Sequence, residues 1–280
     1  QQGFRPGNQI RRAQRLGPIP ADAAGLFGVT LAGLGDFEAA LPLLQQATAG
    51  AAESPWTAAA RQVQMFADQT RALDRAVEEK LKQSPGDLGV VVMQAEAQAI
   101  RGHWLSAVYM LDAVLRKSPE NKQAWMLLGV GRARMNAVED FLKEWREAPA
   151  ADADAWHGLA LRCAGSGLWD AALEYLKAAP ARSGEPSSAP IRLADIAMEL
   201  KQPQRAAQYL ELAAQEHPED PDPWLRLFDT AIAAKQLGRA RQYLEEAEKR
   251  HAFPEELEKR RAQIGEAPER PAQPVRTIIR

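Results

Sequence analysis

Cysteine is nearly absent from this sequence: Cys163 is the only one in 280 residues. A single cysteine excludes an internal disulfide and any cysteine-cluster metal site. It leaves the compartment open, because chains without disulfides occur on both sides of a membrane. Histidine is scarce too. His103, His157, His217 and His251 are scattered, with no two at metal-ligand spacing, so no metal and no cofactor are expected. β-Branched residues are sparse, and no stretch alternates apolar and polar residues long enough for a sheet. The net charge is −2, too balanced to drive binding to nucleic acid or an acidic membrane surface. The longest apolar runs, such as residues 88–93, fall far short of the roughly 20 residues that span a bilayer. Gly25, Gly28, Gly33 and Gly35 follow no strand and lack the GxGxxG spacing, so they form no phosphate loop. Cys163 has only Arg162 as a basic neighbour in sequence and reads as an inert buried thiol. Glu245-Glu246 and Glu255-Glu256 sit on polar helix faces. No constellation points to catalysis, and an enzyme is not expected.

What is abundant is helix former. Ala, Leu, Gln, Glu and Arg dominate, a composition with high helix propensity. The chain also resembles itself at a period near 34 residues: FEAALPLLQQA from Phe37, WLSAVYMLDAV from Trp104 and WDAALEYLKAA from Trp169. Each places an aromatic residue three positions before an Ala and a Leu four after it. Such a period marks stacked helical pairs. Units are expected to start near Ala21, Ser54, Leu88, Lys122, Ala153, Ser187 and Pro221. In the third, helices over about 88–101 and 105–117 flank Gly102, and Ser118-Pro119 closes the unit, because a residue before proline is pushed out of helical geometry. Ser84-Pro85 and His217-Pro218 punctuate likewise. Gly33-Leu34-Gly35, Gly165-Ser166-Gly167 and Leu237-Gly238 are expected to divide first helices from second ones.

These positions resemble the tetratricopeptide repeat. Trp125, Leu128 and Gly129 fit its first-helix signature, as do Trp156, Leu159 and Ala160. Trp224 and Leu227 fit it with Phe228 in place of the small residue, and Phe27-Gly28 fit it without the Trp. Ala107, Leu111, Val114 and Pro119 match the second-helix pattern, as do Ala206, Leu210, Ala213 and Pro218, and Ala40, Leu44 and Ala47 without the Pro. The fourth unit is short, because Trp125 and Trp156 lie only 31 residues apart, and its second helix, in AVEDFLKEWREAPA, fits poorly. The second unit, around Leu73 and Val77, is the least recognisable. The resemblance implies an all-α, right-handed superhelical solenoid of about seven antiparallel helix pairs over residues 21–252, with a possible break at 180–190. Trp104, Trp125, Trp156, Trp169 and Trp224 then pack the interior, and the alanines let neighbouring helices approach.

Residues 1–20, with Arg5, Arg11, Arg12 and Arg15 and no acid before Asp22, read as a basic N-terminal extension: either a helix docked on the first repeat or a basic arm near a membrane or partner. Residues 253–264 read as a polar capping helix and 265–280 as a Pro-rich flexible tail, whose residues 275–279 can add to another chain as a short strand. The resemblance implies a non-catalytic scaffold that binds a peptide or amphipathic helix of another protein in the groove of the first helices. Glu96, Met126, Arg134, His157, Arg192, Asp195, Arg226 and Asp229 are the candidate lining, with Met65, Val92, Met198 and Ile232 as apolar neighbours. Arg192 and Arg226 are 34 residues apart, as are Asp195 and Asp229. This repeated Arg-x-x-Asp reads either as ion pairs within each helix or as polar ladders that hydrogen-bond an extended peptide. The Lys and Asn that some relatives use to clamp a C-terminal carboxylate have no counterparts here. Self-association into a homo-oligomer and service as an accessory domain of a larger membrane-anchored assembly or export factor are the alternatives. The Ala-rich, degenerate repeats resemble bacterial ones. A cell-envelope location is therefore expected, with any anchor lying before Gln1 and the cytoplasm as the alternative.

Overall fold

The computed structural model describes residues 19–49, 54–180, 186, 188–250 and 252–265. Among these are fourteen helices and no strand. The basic extension, except for Ile19 and Pro20, and the tail beyond Gly265 lie outside the described residues. The chain divides into two compact units, residues 1–151 and 152–280.

The first unit contains α1 (Ala21–Gly33), α2 (Phe37–Thr48), α3 (Thr57–Gln83), α4 (Leu88–Ile100), α5 (Trp104–Leu115), α6 (Lys122–Arg134) and α7 (Val138–Arg146). The second contains α8 (Ala153–Gly165), α9 (Trp169–Ala178), α10 (Ala189–Glu199), α11 (Pro203–Glu216), α12 (Asp222–Ala233), α13 (Leu237–Lys249) and α14 (Pro254–Gln263). The segment 180–190, a possible break by composition, thus falls inside the second unit, where α9 and α10 pack together.

Six of the expected units are helix hairpins joined by the same turn. Each first helix ends in a residue with positive φ: Gly35, Gly102, Asn136, Gly167, Lys201 and Lys235. In each, the next amide donates to a carbonyl five residues back, as Asp36 to Leu31 and Gln236 to Ala231. This double-backed end satisfies the last carbonyls of the first helix and reverses the chain. Leu237-Gly238 is not the divider it was expected to be. The turn is made at Lys235, and both residues belong to α13. Helix starts are fixed by Asp36, Asn121 and Asp152, whose side chains accept from the amides of Ala39, Ala124 and Ala155. Those bonds satisfy donors that the first turn leaves open.

The second unit of the repeat departs from the expected pair. Residues 57–83 form one uninterrupted helix of 27 residues, because that stretch contains no Gly or Pro to stop it. The short fourth unit does form its pair. Its second helix spans only 9 residues, yet Phe141 and Trp145 are both fully buried. They meet Trp125 edge-on, with ring centroids 6.1 and 5.3 Å away. Two large aromatic rings on one face do the packing that the missing turn of helix cannot.

Small residues set the spacing of the hairpins. A Cβ on Gly28 would stand 2.6 Å from Leu44 Cγ, and one on Gly131 would stand 2.7 Å from Val108 Cγ2. Ala40, Ala107, Ala172, Ala206 and Ala240 are completely buried at equivalent second-helix positions. Of the five repeat tryptophans, Trp125, Trp156 and Trp169 are buried. Trp104 and Trp224 are half-buried under the guanidinium groups of Arg134 and Arg250. Cys163 is a buried free thiol. Neighbouring first helices also touch, α4 with α6 and α8 with α10, which places a first-helix face within each unit.

Candidate partner-binding face

In the second unit the repeat brings charged residues of successive first helices together. Arg226 on α12 donates through Nη1 to Asp195 on α10 at 2.8 Å and through Nε to Asp222 at 2.9 Å. One repeat later, Arg260 on α14 donates through Nη2 and Nε to both carboxylate oxygens of Asp229, at 2.7 and 3.1 Å, and through Nη1 to Glu256 at 2.7 Å. Each arginine therefore takes one carboxylate a turn earlier on its own helix and one from the preceding repeat. The result is a stripe running Asp195, Arg226, Asp229, Arg260 across α10, α12 and α14.

The stripe is not buried. The side chains of Asp195 and Asp229 are 46% and 50% exposed, so each pair is worth only about 0.2–1 kcal/mol. Hydrogen bonds from Arg260 and Lys259, reinforced by their charges, hold the Glu256 carboxyl below its ordinary range. Met198, one turn beyond Asp195, is 44% exposed, and Ile232 is half-buried.

Arg192 departs from the role its spacing suggested. It is 4% exposed and donates to the carbonyls of Leu176, Ala179 and Pro180. The residue one repeat before Asp195 is Leu161. Arg192 helps satisfy the C-terminal carbonyls of α9. The other candidates are dispersed. His157 is half-buried on α8, with Nε2 3.9 Å from Glu199 Oε1. In the first unit Glu96 and Met126 are half-buried on α4 and α6, and Arg134 lies 5.7 Å over the Trp104 ring. Val92 is buried rather than lining a surface, whereas Met65 is 48% exposed.

Sequence reasoning missed Arg260, Asp222 and Glu256, although the signal was present. One more 34-residue step from Arg226 lands on Arg260, and the same step from Asp222 lands on Glu256. A second concavity of about 310 Å³ opens between α11 and α13, with Gln208, Glu211, Arg239 and Tyr243 on its walls and Leu227 and Ala231 in its floor. Among the described residues no group of His, Cys, Asp and Glu is placed to hold a metal, and no helix is long and apolar enough to cross a membrane.

The sequence profile of the tetratricopeptide repeat matches residues 159–221 and again residues 197–264. Residues 159–264 are thus similar to tetratricopeptide repeats. Such repeats generally mediate protein–protein interaction. No curated protein matches the sequence. Among solved structures, a tetratricopeptide-repeat protein from Parabacteroides merdae ATCC 43184 is 14% identical, with 88% of this chain and 98% of that one covered at a TM-score of 0.34. The repeat protein TTC0263 from Thermus thermophilus is 20% identical, with 76% and 100% covered at 0.32. The pilF protein of Pseudomonas aeruginosa is 17% identical, with 64% and 87% covered at 0.31. Likeness at this level carries no argument about this chain.

Proposed function

We propose that this tetratricopeptide-repeat chain is a non-catalytic scaffold that holds a peptide or helix of a partner protein against its first-helix face. The observation that carries the reading is the stripe of Asp195, Arg226, Asp229 and Arg260, whose two aspartates are about half-exposed, beside Met198. Its side chains are already fixed by ion pairs across repeats, so a ligand that meets them orders little. A carboxylate has about four acceptor sites. Asp229 gives Arg260 one on each oxygen, which leaves acceptor capacity for the backbone N–H groups of an extended segment. Met198 supplies an adaptable apolar contact. His157 extends this face through Glu199, and Glu96 and Met126 are the corresponding contacts in the first unit. Arg134 and Arg192 support it indirectly, one through Trp104 and the other by holding the end of α9.

The test is capture from a native lysate by the parent chain and by a variant carrying Asp195→Lys, Met198→Glu and Asp229→Lys, with retained proteins identified by mass spectrometry. The reading expects one protein enriched by the parent and lost by the variant, with helix content unchanged in both. Identical retention by both chains, or no retention by either, overturns it.

A further inference from the structure

We propose that α14 is an ion-pair latch, which docks and releases separately from the helices beneath it and so sets the length of the proposed partner face. The helix is short and thinly anchored. It spans 10 residues and buries only Leu257, which joins Leu225, Phe228, Leu244 and Ala252 in the apolar cluster at this end of the unit. One repeat earlier, α12 buries Pro223, Leu225, Leu227, Phe228 and Ala231. Phe253, where α14 begins, is exposed, and its side chain gives the first turn no cap. Isolated helices shorter than about 12–15 residues are marginal in water. α14 therefore stays folded only while it is docked, and a single leucine supplies little of that docking.

Charge supplies the rest. Arg260 donates to both oxygens of Asp229 on α12, and its guanidinium lies 5.9 Å from the centroid of the Phe228 ring. Arg261 donates through Nη2 to Glu248 on α13. Two consecutive arginines thus clamp two different helices. Both are well covered, at 13% and 15% exposure, whereas water reaches their carboxylate partners, at 50% and 45%. Such pairs weaken with salt, because the Debye length falls from about 30 Å at 0.01 M to about 3 Å at 1 M. The apolar cluster beneath has no charge to screen. Elements that open separately come from the low-stability end of a fold, and α14 is built as one. On release, Asp229 loses both guanidinium bonds, Arg260 leaves the stripe, and the face ends at α12. That consequence for binding rests on the scaffold reading. The latch itself rests on the contacts of α14 and stands or falls without any partner.

The test is amide hydrogen exchange on the full chain, with no partner present, at about 0.01 M and about 1 M sodium chloride. Rates at residues 258–263 of α14 are read against those of α12 and α13. A second chain carries Asp229→Asn and Glu248→Gln, which remove the latch from the receiving helices and leave the sequence of α14 intact. The latch predicts exchange at 258–263 at least tenfold faster in high salt than in low salt for the parent. It predicts fast exchange at both concentrations for the double variant, with α12 protected throughout. Rates at 258–263 that follow those of α12 and α13 and ignore salt overturn it, because α14 then opens only with the whole unit. Fast exchange in the parent at both concentrations overturns it by showing a helix that does not dock. A double variant that keeps the parent's salt response, or stays slow at both concentrations, overturns it by showing that these two carboxylates do not hold the helix.

Discussion

At the scale of single residues, left-handed backbone positions and small side chains set the repeat. Lys201 and Lys235 hold φ values of 57° and 58° in turns where Gly35, Gly102 and Gly167 stand in other repeats. A side chain with a Cβ is strained there and glycine is not. Lys235→Gly is expected to stabilise the chain by about 0.5–1 kcal/mol in urea denaturation, and Gly102→Ala to destabilise it by about 1–2 kcal/mol. Gly131→Ala forces a Cβ to within 2.7 Å of Val108 and is expected to cost about 1–3 kcal/mol. Arg192→Met strips three carbonyls at the end of α9 of a buried donor and is expected to cost about 1–3 kcal/mol by the same measurement. Repeat spacing was enough to single out Arg192 and not enough to place it. Its environment is set by the C-terminal end of α9, whose carbonyls it meets only in three dimensions.

At the scale of elements, the stripe across α10, α12 and α14 links consecutive repeats through exposed ion pairs. A double-mutant cycle on Asp195 and Arg226 is expected to give a coupling of about 0.2–1 kcal/mol that shrinks in high salt. The Glu256 carboxyl is held below its ordinary range, first by its hydrogen bond from Arg260. Its contribution to stability is therefore present above the ordinary glutamate range and lost as pH falls through the depressed value. Arg260→Met is expected to move the Glu256 titration, followed by NMR, back up toward that range. An unchanged midpoint would mean that Lys259 alone sets it. The helices themselves were mostly legible. Expected starts at Ala21, Leu88, Lys122 and Ala153 coincide with α1, α4, α6 and α8, because Gly turns, Pro closures and Asp or Asn caps lie in the sequence itself. Two elements were not legible. The 27-residue α3 replaces a hairpin because no breaker interrupts it, and a period-based reading supplies a turn there regardless. The compact packing of α7 rests on Phe141 and Trp145, whose partner Trp125 is visible only in three dimensions.

At the scale of the whole molecule, the described residues are all-α, in two compact units that divide at residue 151, with tetratricopeptide-repeat similarity over residues 159–264. Trp56, Trp104, Trp125 and Trp145 report on the first unit, and Trp156, Trp169 and Trp224 on the second. Variants with tryptophan replaced by phenylalanine in one unit at a time are expected to show two urea midpoints, one for each unit. Coincident midpoints would show that the units unfold together. Sequence made the helical-repeat architecture readable, since it follows from a 34-residue period. The proposed face was only partly readable, because Asp195, Arg226 and Asp229 become a single surface through another arginine, Arg260, that lies in the polar terminal helix. The most direct test of the scaffold reading places a photo-crosslinking side chain at Met198, beside the stripe, or at Gln208, in the separate cleft between α11 and α13. Each full-length chain is then irradiated in native lysate. The account predicts a covalent partner adduct from position 198 and none from position 208; an adduct from 208 alone would contradict it.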